Sequence, residues 1–196
     1  MHEVRVAPSI LAADFARLGA QVEEVMDAGA RVIHVDVMDG HFVPPITIGA
    51  LVVDALRDLV HGRDGVLDVH LMVERPDRRV EDFVEAGADS IAVHWEATPP
   101  EVTSGLSDEL DHVLCMTVNP GWGGQAYIES STAKVARLRE LLGPGVPIEV
   151  DGGIDAATAR TTATAGATLF VAGTSIFGTQ DPGAAYGKIA AAAGAV

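Results

Sequence analysis

The densest run of chemistry-bearing side chains is His34-Val35-Asp36-Val37-Met38-Asp39-Gly40-His41. Side chains alternate along an extended segment, so His34, Asp36 and Met38 share one face and Val35 and Val37 the other. Val69-His70-Leu71-Met72 repeats the arrangement, with His70 and Met72 together. Two imidazoles and a carboxylate on neighbouring parallel strands suit one borderline divalent cation, zinc first, with iron, manganese or cobalt as the other candidates. A histidine between valines is often only a satisfied core residue. The second His-x-Met, and the need of a buried Asp36 for a compensating charge, favour the ligand reading.

A third element is Ile148-Glu149-Val150-Asp151-Gly152-Gly153, a strand that ends in an acid before two glycines. If strand ends face one catalytic mouth, Asp151 meets Asp36 across it, and Glu149 is a lesser candidate ligand on the same face. The competing reading of Asp151 is a turn aspartate that caps local amides. Three glycine-rich turns offer backbone N–H groups to a phosphate: Asn119-Pro120-Gly121-Trp122-Gly123-Gly124-Gln125, Asp151-Gly152-Gly153 and Ala172-Gly173-Thr174-Ser175. The last two follow the final two strands, where barrels commonly cradle a phosphate. The Gly121–Gln125 stretch is long enough to act as a lid.

The elements that must position these groups alternate regularly. Short β-branched runs at Val4–Leu11, Val32–Val37, Val66–Val73, Ser90–Trp95, Val113–Asn119, Pro147–Val150 and Thr168–Ala172 predict parallel strands. Between them, Phe15–Ala28, Ile48–Val60, Pro76–Ala86, Tyr127–Leu142, Asp155–Ala165 and Pro182–Ala193 carry helical residue types, and Pro99–Asp111 is a weaker helix candidate. Asp27-Ala28-Gly29-Ala30, Glu85-Ala86-Gly87-Ala88 and Thr164-Ala165-Gly166-Ala167 each place a glycine where a helix closes before a strand, as a left-handed C-cap requires. The repetition favours an α/β barrel over a doubly wound sheet.

The 196 residues are read as a single domain, 1–196, with 48% apolar residues and a net charge of -15. That charge excludes a basic footprint for nucleic acid or anionic lipid, so any phosphate must be held locally. No leader pattern and no membrane-length apolar run are present, and the lone Cys115 reads as core packing. A cytoplasmic location is the expectation.

Several stretches together resemble the ribulose-phosphate 3-epimerase family. They are Ala7-Pro8-Ser9-Ile10-Leu11, Ala13-Asp14-Phe15, the block from His34 to Pro44, Asp68-Val69-His70-Leu71-Met72, Val118-Asn119-Pro120-Gly121 with Gly123-Gly124-Gln125, Glu149-Val150-Asp151-Gly152-Gly153, and Val171-Ala172-Gly173. The resemblance implies a (β/α)8 TIM-barrel fold and one divalent metal ion held by His34, Asp36, His70 and Asp151. It further implies Asp36 and Asp151 as acid and base, Ser9 and His70 at the substrate, and Met38, Met72 and Met116 as an apolar cap. From residues alone, Met116 reads equally well as core. Gly121, Gly123, Gly124, Gly152, Gly153, Gly173 and Thr174 fall in the turns where the sugar phosphate is expected. The implied activity interconverts ribulose 5-phosphate and xylulose 5-phosphate through an enediolate, in a homo-oligomer, either dimer or hexamer.

The chain departs from the family pattern most clearly between residues 97 and 112, where one strand–helix unit is missing. A barrel short of one strand must close with fewer or leave a gap of about 10 Å between unpaired edges. Smaller departures are Pro45 for asparagine, Trp122 for phenylalanine and Thr174 for serine. Pro45 removes a donor after the metal block.

Rival readings are an epimerase for allulose 6-phosphate, a non-catalytic phosphate-binding barrel and an aldolase-type lyase. The last lacks a suitable lysine, since Lys134 and Lys188 both fall in helical segments. His2, His61 and His112 read as surface or loop residues, while His41 and His94 lie near strand ends without evident partners.

Overall fold

The computed structural model describes residues 3–98 and 110–195. All seven expected strands form: β1 (Arg5–Pro8), β2 (Val32–Met38), β3 (Val66–Met72), β4 (Ser90–Val93), β5 (Val113–Met116), β6 (Ile148–Asp151) and β7 (Leu169–Ala172). Every pairing is parallel, in two sheets ordered β1-β7-β6-β5 and β2-β3-β4. A parallel bridge between Ser9 and His34 joins the two sheets where β1 ends. The strands therefore follow chain order around an α/β barrel that is not closed: among the described residues β4 and β5 do not pair. That opening lies at the link where the sequence lacks a strand–helix unit. The weaker helix candidate, Pro99–Asp111, falls almost wholly outside the described residues.

Six helices match the expected segments, with α1 at Leu18–Asp27, α2 at Ala50–His61, α3 at Val80–Ala86, α4 at Ser131–Leu142, α5 at Ala156–Ala165 and, after a short α6 at Thr174–Phe177, α7 at Pro182–Ala193. Three starts fall three or four residues later than the residue pattern, for local reasons. The segments expected from Phe15 and Pro76 open as 3₁₀ turns at Phe15–Arg17 and Pro76–Arg78. The one expected from Tyr127 begins at Ser131, because the Ile128 amide donates to the Thr117 carbonyl and holds this stretch against the end of β5. Asp155 is the N-cap of α5, accepting from the amides of Ala157 and Thr158. Gly29, Gly87 and Gly166 take φ of 112°, 105° and 109°, the left-handed closure their repeated setting predicts.

Odd-numbered residues of β2 and β3, among them Val35, Val37, Leu67, Val69 and Leu71, are buried in the same apolar cluster as Val25, Val53, Leu56 and Phe83 of the helices. Burying such side chains stabilises the fold by about 1.5–3 kcal/mol each. The opposite face carries His34, Asp36, Asp68 and His70, all buried. Barrel interiors are ordinarily filled by branched apolar residues. Charged groups here carry a desolvation cost that mutual pairing must offset. No helix among the described residues is long and apolar enough to cross a membrane.

Candidate active site

Register alone places much of the site. Asp36 is the direct partner of His70 across β2 and β3, and Met38 is the partner of Met72. On the other sheet Met116 is the partner of Asp151, which pairs in turn with Val171. Curvature then turns Asp151 toward β3. His70 Nδ1 lies 3.1 Å from Asp36 Oδ1 and 3.6 Å from Asp151 Oδ2, while His34 Nε2 lies 3.2 Å from the same Asp36 oxygen.

One ligand atom from each of His34, Asp36, His70 and Asp151 lies within 4.8 Å of the others. Metal–ligand bonds of about 2.0–2.2 Å in a tetrahedral site put ligand atoms roughly 3.3 Å apart. The separations and the two-nitrogen, two-oxygen donor set thus fit a divalent ion of the zinc, manganese, iron or cobalt type. The remaining Asp36 oxygen accepts from the Ser9 hydroxyl at 2.6 Å, which leaves Oδ1 directed at the two imidazoles.

Burial pushes the Asp36 carboxyl up, but His34 and His70 outweigh it and hold Asp36 well below the usual carboxylate range. Burial and the neighbouring Asp36 push Asp151 up to about 7. The same cluster thus shifts its two carboxyls in opposite directions. His34 is raised, since Asp36, Asp68 and Glu149 together overcome its burial.

Above this cluster a cavity of about 660 Å³ opens, lined by Ser9, Asp36, Met38, Met72, Met116 and Asp151 among others. Met38 and Met72 pack with Val43, Leu11 and Phe42. The cavity is also lined by Gly121, Gly123, Gly124, Gly152, Gly153, Gly173 and Thr174, so the two candidate carboxylate ligands, Asp36 and Asp151, and the glycine turns face one space. Gly152 and Gly153 take φ of 117° and 66°, and a Cβ on Gly153 would meet the Tyr127 Cα at 2.7 Å. Only glycine allows both that backbone turn and that approach. Gln125 ties the Gly121–Gln125 loop by donating to the carbonyls of Asn119 and Trp122 at 2.7 and 2.8 Å.

Four polar groups acquire partners that residue patterns did not reveal. Asp68 Oδ2 lies 2.7 Å from His34 Nδ1, across the ring from Asp36. Thr47 donates to the Asp36 carbonyl at 2.8 Å and accepts from the Met38 amide at 2.9 Å, fastening the following loop to β2. His112 is not a surface residue: its side chain is 16% exposed and its Nε2 lies 3.1 Å from Glu149 Oε2, beneath His34. His94, apparently unpartnered in sequence, places Nε2 2.9 Å from His70 Nε2. Strand register accounts for the Asp68 and His94 contacts, since Asp68 stands opposite His34 and His94 lies two residues past the partner of His70. His61, by contrast, is on the surface beside Asp89.

Known proteins match this chain over most of its length. The ribulose-phosphate 3 epimerase family matches residues 5–102 and 96–177, a match that breaks at the link between β4 and β5. A ribulose-phosphate 3-epimerase of Bacillus subtilis (strain 168) is 43% identical over 215 residues, covering 95% of this chain and 98% of that protein. The alignment is longer than this 196-residue chain, so the relative contains residues missing here. The chloroplastic ribulose-5-phosphate-3-epimerase of Arabidopsis thaliana is 45% identical over 91% of this chain and 73% of its own. Among solved structures, one titled "Native KDPGal structure" superposes with a TM-score of 0.71 at 13% identity, over 98% of this chain and 95% of that one, a likeness of fold.

Proposed function

Because this chain belongs to the ribulose-phosphate 3-epimerase family, we propose that it inverts C3 of D-ribulose 5-phosphate to give D-xylulose 5-phosphate through a cis-enediolate. The observation that carries this reading is the approach of two carboxylates from different sheets to one imidazole, Asp36 at 3.1 Å and Asp151 at 3.6 Å from His70 Nδ1. Inversion needs a proton removed on one face of a planar intermediate and another delivered on the opposite face. Asp36 and Asp151, which reach His70 from different sheets, supply the two roles.

His34, Asp36, His70 and Asp151 would hold one divalent cation, zinc by preference. When bound, such an ion stabilises the negative charge that develops on the ketose oxygen. Ser9 orients the free oxygen of Asp36. Met38, Met72 and Met116 shield the reacting carbons without offering a competing proton. The amides of Gly152, Gly153, Gly173 and Thr174 receive the phosphate, and Gly121, Gly123 and Gly124 cover it from the neighbouring loop. We assign the enzyme to one barrel domain, to the cytoplasm, to a homo-oligomer and to the pentose phosphate pathway, with no nucleic acid or membrane partner.

The volume of the cavity, about 660 Å³, leaves room for a six-carbon ketose phosphate, so allulose 6-phosphate 3-epimerisation is the second reading. Competing turnover of the two sugars separates them. The primary test is solvent deuterium incorporation at C3 of ribulose 5-phosphate, with and without chelator. Incorporation that a chelator stops is expected. Folded, metal-loaded protein that incorporates none overturns the proposal.

A further inference from the structure

His94 follows β4 directly and is turned inward beside His70. The two Nε2 atoms are 2.9 Å apart, the rings stack at 5.0 Å with planes 28° apart, and Phe42 lies against His94 at 4.8 Å. Two imidazole nitrogens can approach this closely only when one carries the proton and the other offers a lone pair. Which nitrogen carries it determines what His70 presents on its other side. His70 Nδ1 faces Asp36 and Asp151, so a cation there requires a bare Nδ1 and a proton on Nε2. His94 Nε2 must then accept, with its own proton on Nδ1, the side on which Glu96 lies 3.8 Å away.

We propose that His94 is a positioning residue that locks His70 in its Nε2-protonated tautomer and so aims a bare Nδ1 at Asp36 and Asp151. This rests on the metal reading above and extends it to a group outside the ligand set. The choice of partner has a physical consequence. His34 has a carboxylate, Asp68, behind its ring, whereas His70 has a neutral ring. A second carboxylate behind His70 would add negative charge to an interior that already holds Asp36, Asp68, Glu149 and Asp151. An imidazole acceptor sets the tautomer without that cost.

The test compares the whole protein with His94→Gln, whose side-chain oxygen can still accept, and His94→Phe, which keeps the ring packing but has no acceptor. Imidazole nitrogen NMR reports the His70 tautomer in metal-free and zinc-loaded protein, and a chelator competition reports zinc affinity. Wild type and His94→Gln should show Nε2-protonated His70 in both forms. His94→Phe should populate the Nδ1-protonated form and bind zinc about ten- to a hundred-fold more weakly. Two results overturn the assignment: Nδ1-protonated His70 in metal-free wild type, or a His94→Phe protein with wild-type tautomer and zinc affinity. A wild type with the expected tautomer that binds no zinc, manganese or cobalt defeats the metal reading alone, and the tautomer comparison still decides the role of His94.

Discussion

Asp68 lies directly behind His34, its Oδ2 2.7 Å from the ring nitrogen opposite the one that faces Asp36. The two residues are register partners on β2 and β3, so the contact follows from strand pairing. A neutral His34 that donates its Nδ1–H to Asp68 presents the Nε2 lone pair toward Asp36, the form a metal ligand needs.

Removing that acceptor should loosen the candidate metal site. Asp68→Ala is expected to weaken zinc binding about ten- to a hundred-fold while the fold remains. Chelator competition with the metal-free protein measures it. Unchanged affinity would remove Asp68 from any role in orienting His34.

Asp36→Asn and Asp151→Asn each take away a proposed proton carrier without changing side-chain size. General acid–base catalysis is commonly worth about 10²–10⁴ in rate. Each variant should therefore lose at least about a hundred-fold in deuterium exchange at C3. An Asp151→Asn protein with wild-type exchange would exclude Asp151 as the second carrier.

Gly153 is expected to tolerate no side chain. Its φ of 66° costs a residue with a Cβ about 1–2 kcal/mol, and the collision with Tyr127 adds about 1–3 kcal/mol. Gly153→Ala should lower stability in urea by about 2–5 kcal/mol or shift the turn. In the second case KM for the sugar phosphate rises. No change in either quantity would refute the close approach.

His112 should make stability depend on pH. Its pairing with Glu149 raises its pKa above 6.5, outweighing its burial. Below about pH 6.5 the ring is charged in folded and unfolded chains alike, so the contribution is fully present. It is lost as pH rises through the higher folded value. The thermal midpoint of wild type relative to His112→Leu should thus be largest in mild acid and shrink toward alkaline pH. A difference that does not vary with pH would mean His112 only fills space.

Much of this was legible in the amino acids because it is local. Alternation along Val32–Met38 sets which side chains turn inward, and the glycines at 29, 87 and 166 end three helices by backbone sterics that need no distant partner. His34, Asp36 and His70 belonged together on the same grounds, since two adjacent strands with one repeated pattern align their side chains. The shortage of one strand–helix unit was visible as length, and among the described residues β4 and β5, the strands on either side of it, do not pair with each other.

Tertiary structure decided what depends on curvature and long-range register. Asp151 is 115 residues from Asp36 in the chain, and only the bending of one sheet toward the other brings both to His70. His94 and His112 looked unremarkable because a histidine's role depends on which nitrogen meets which atom. Those atoms, on His70 and Glu149, belong to other strands of the barrel.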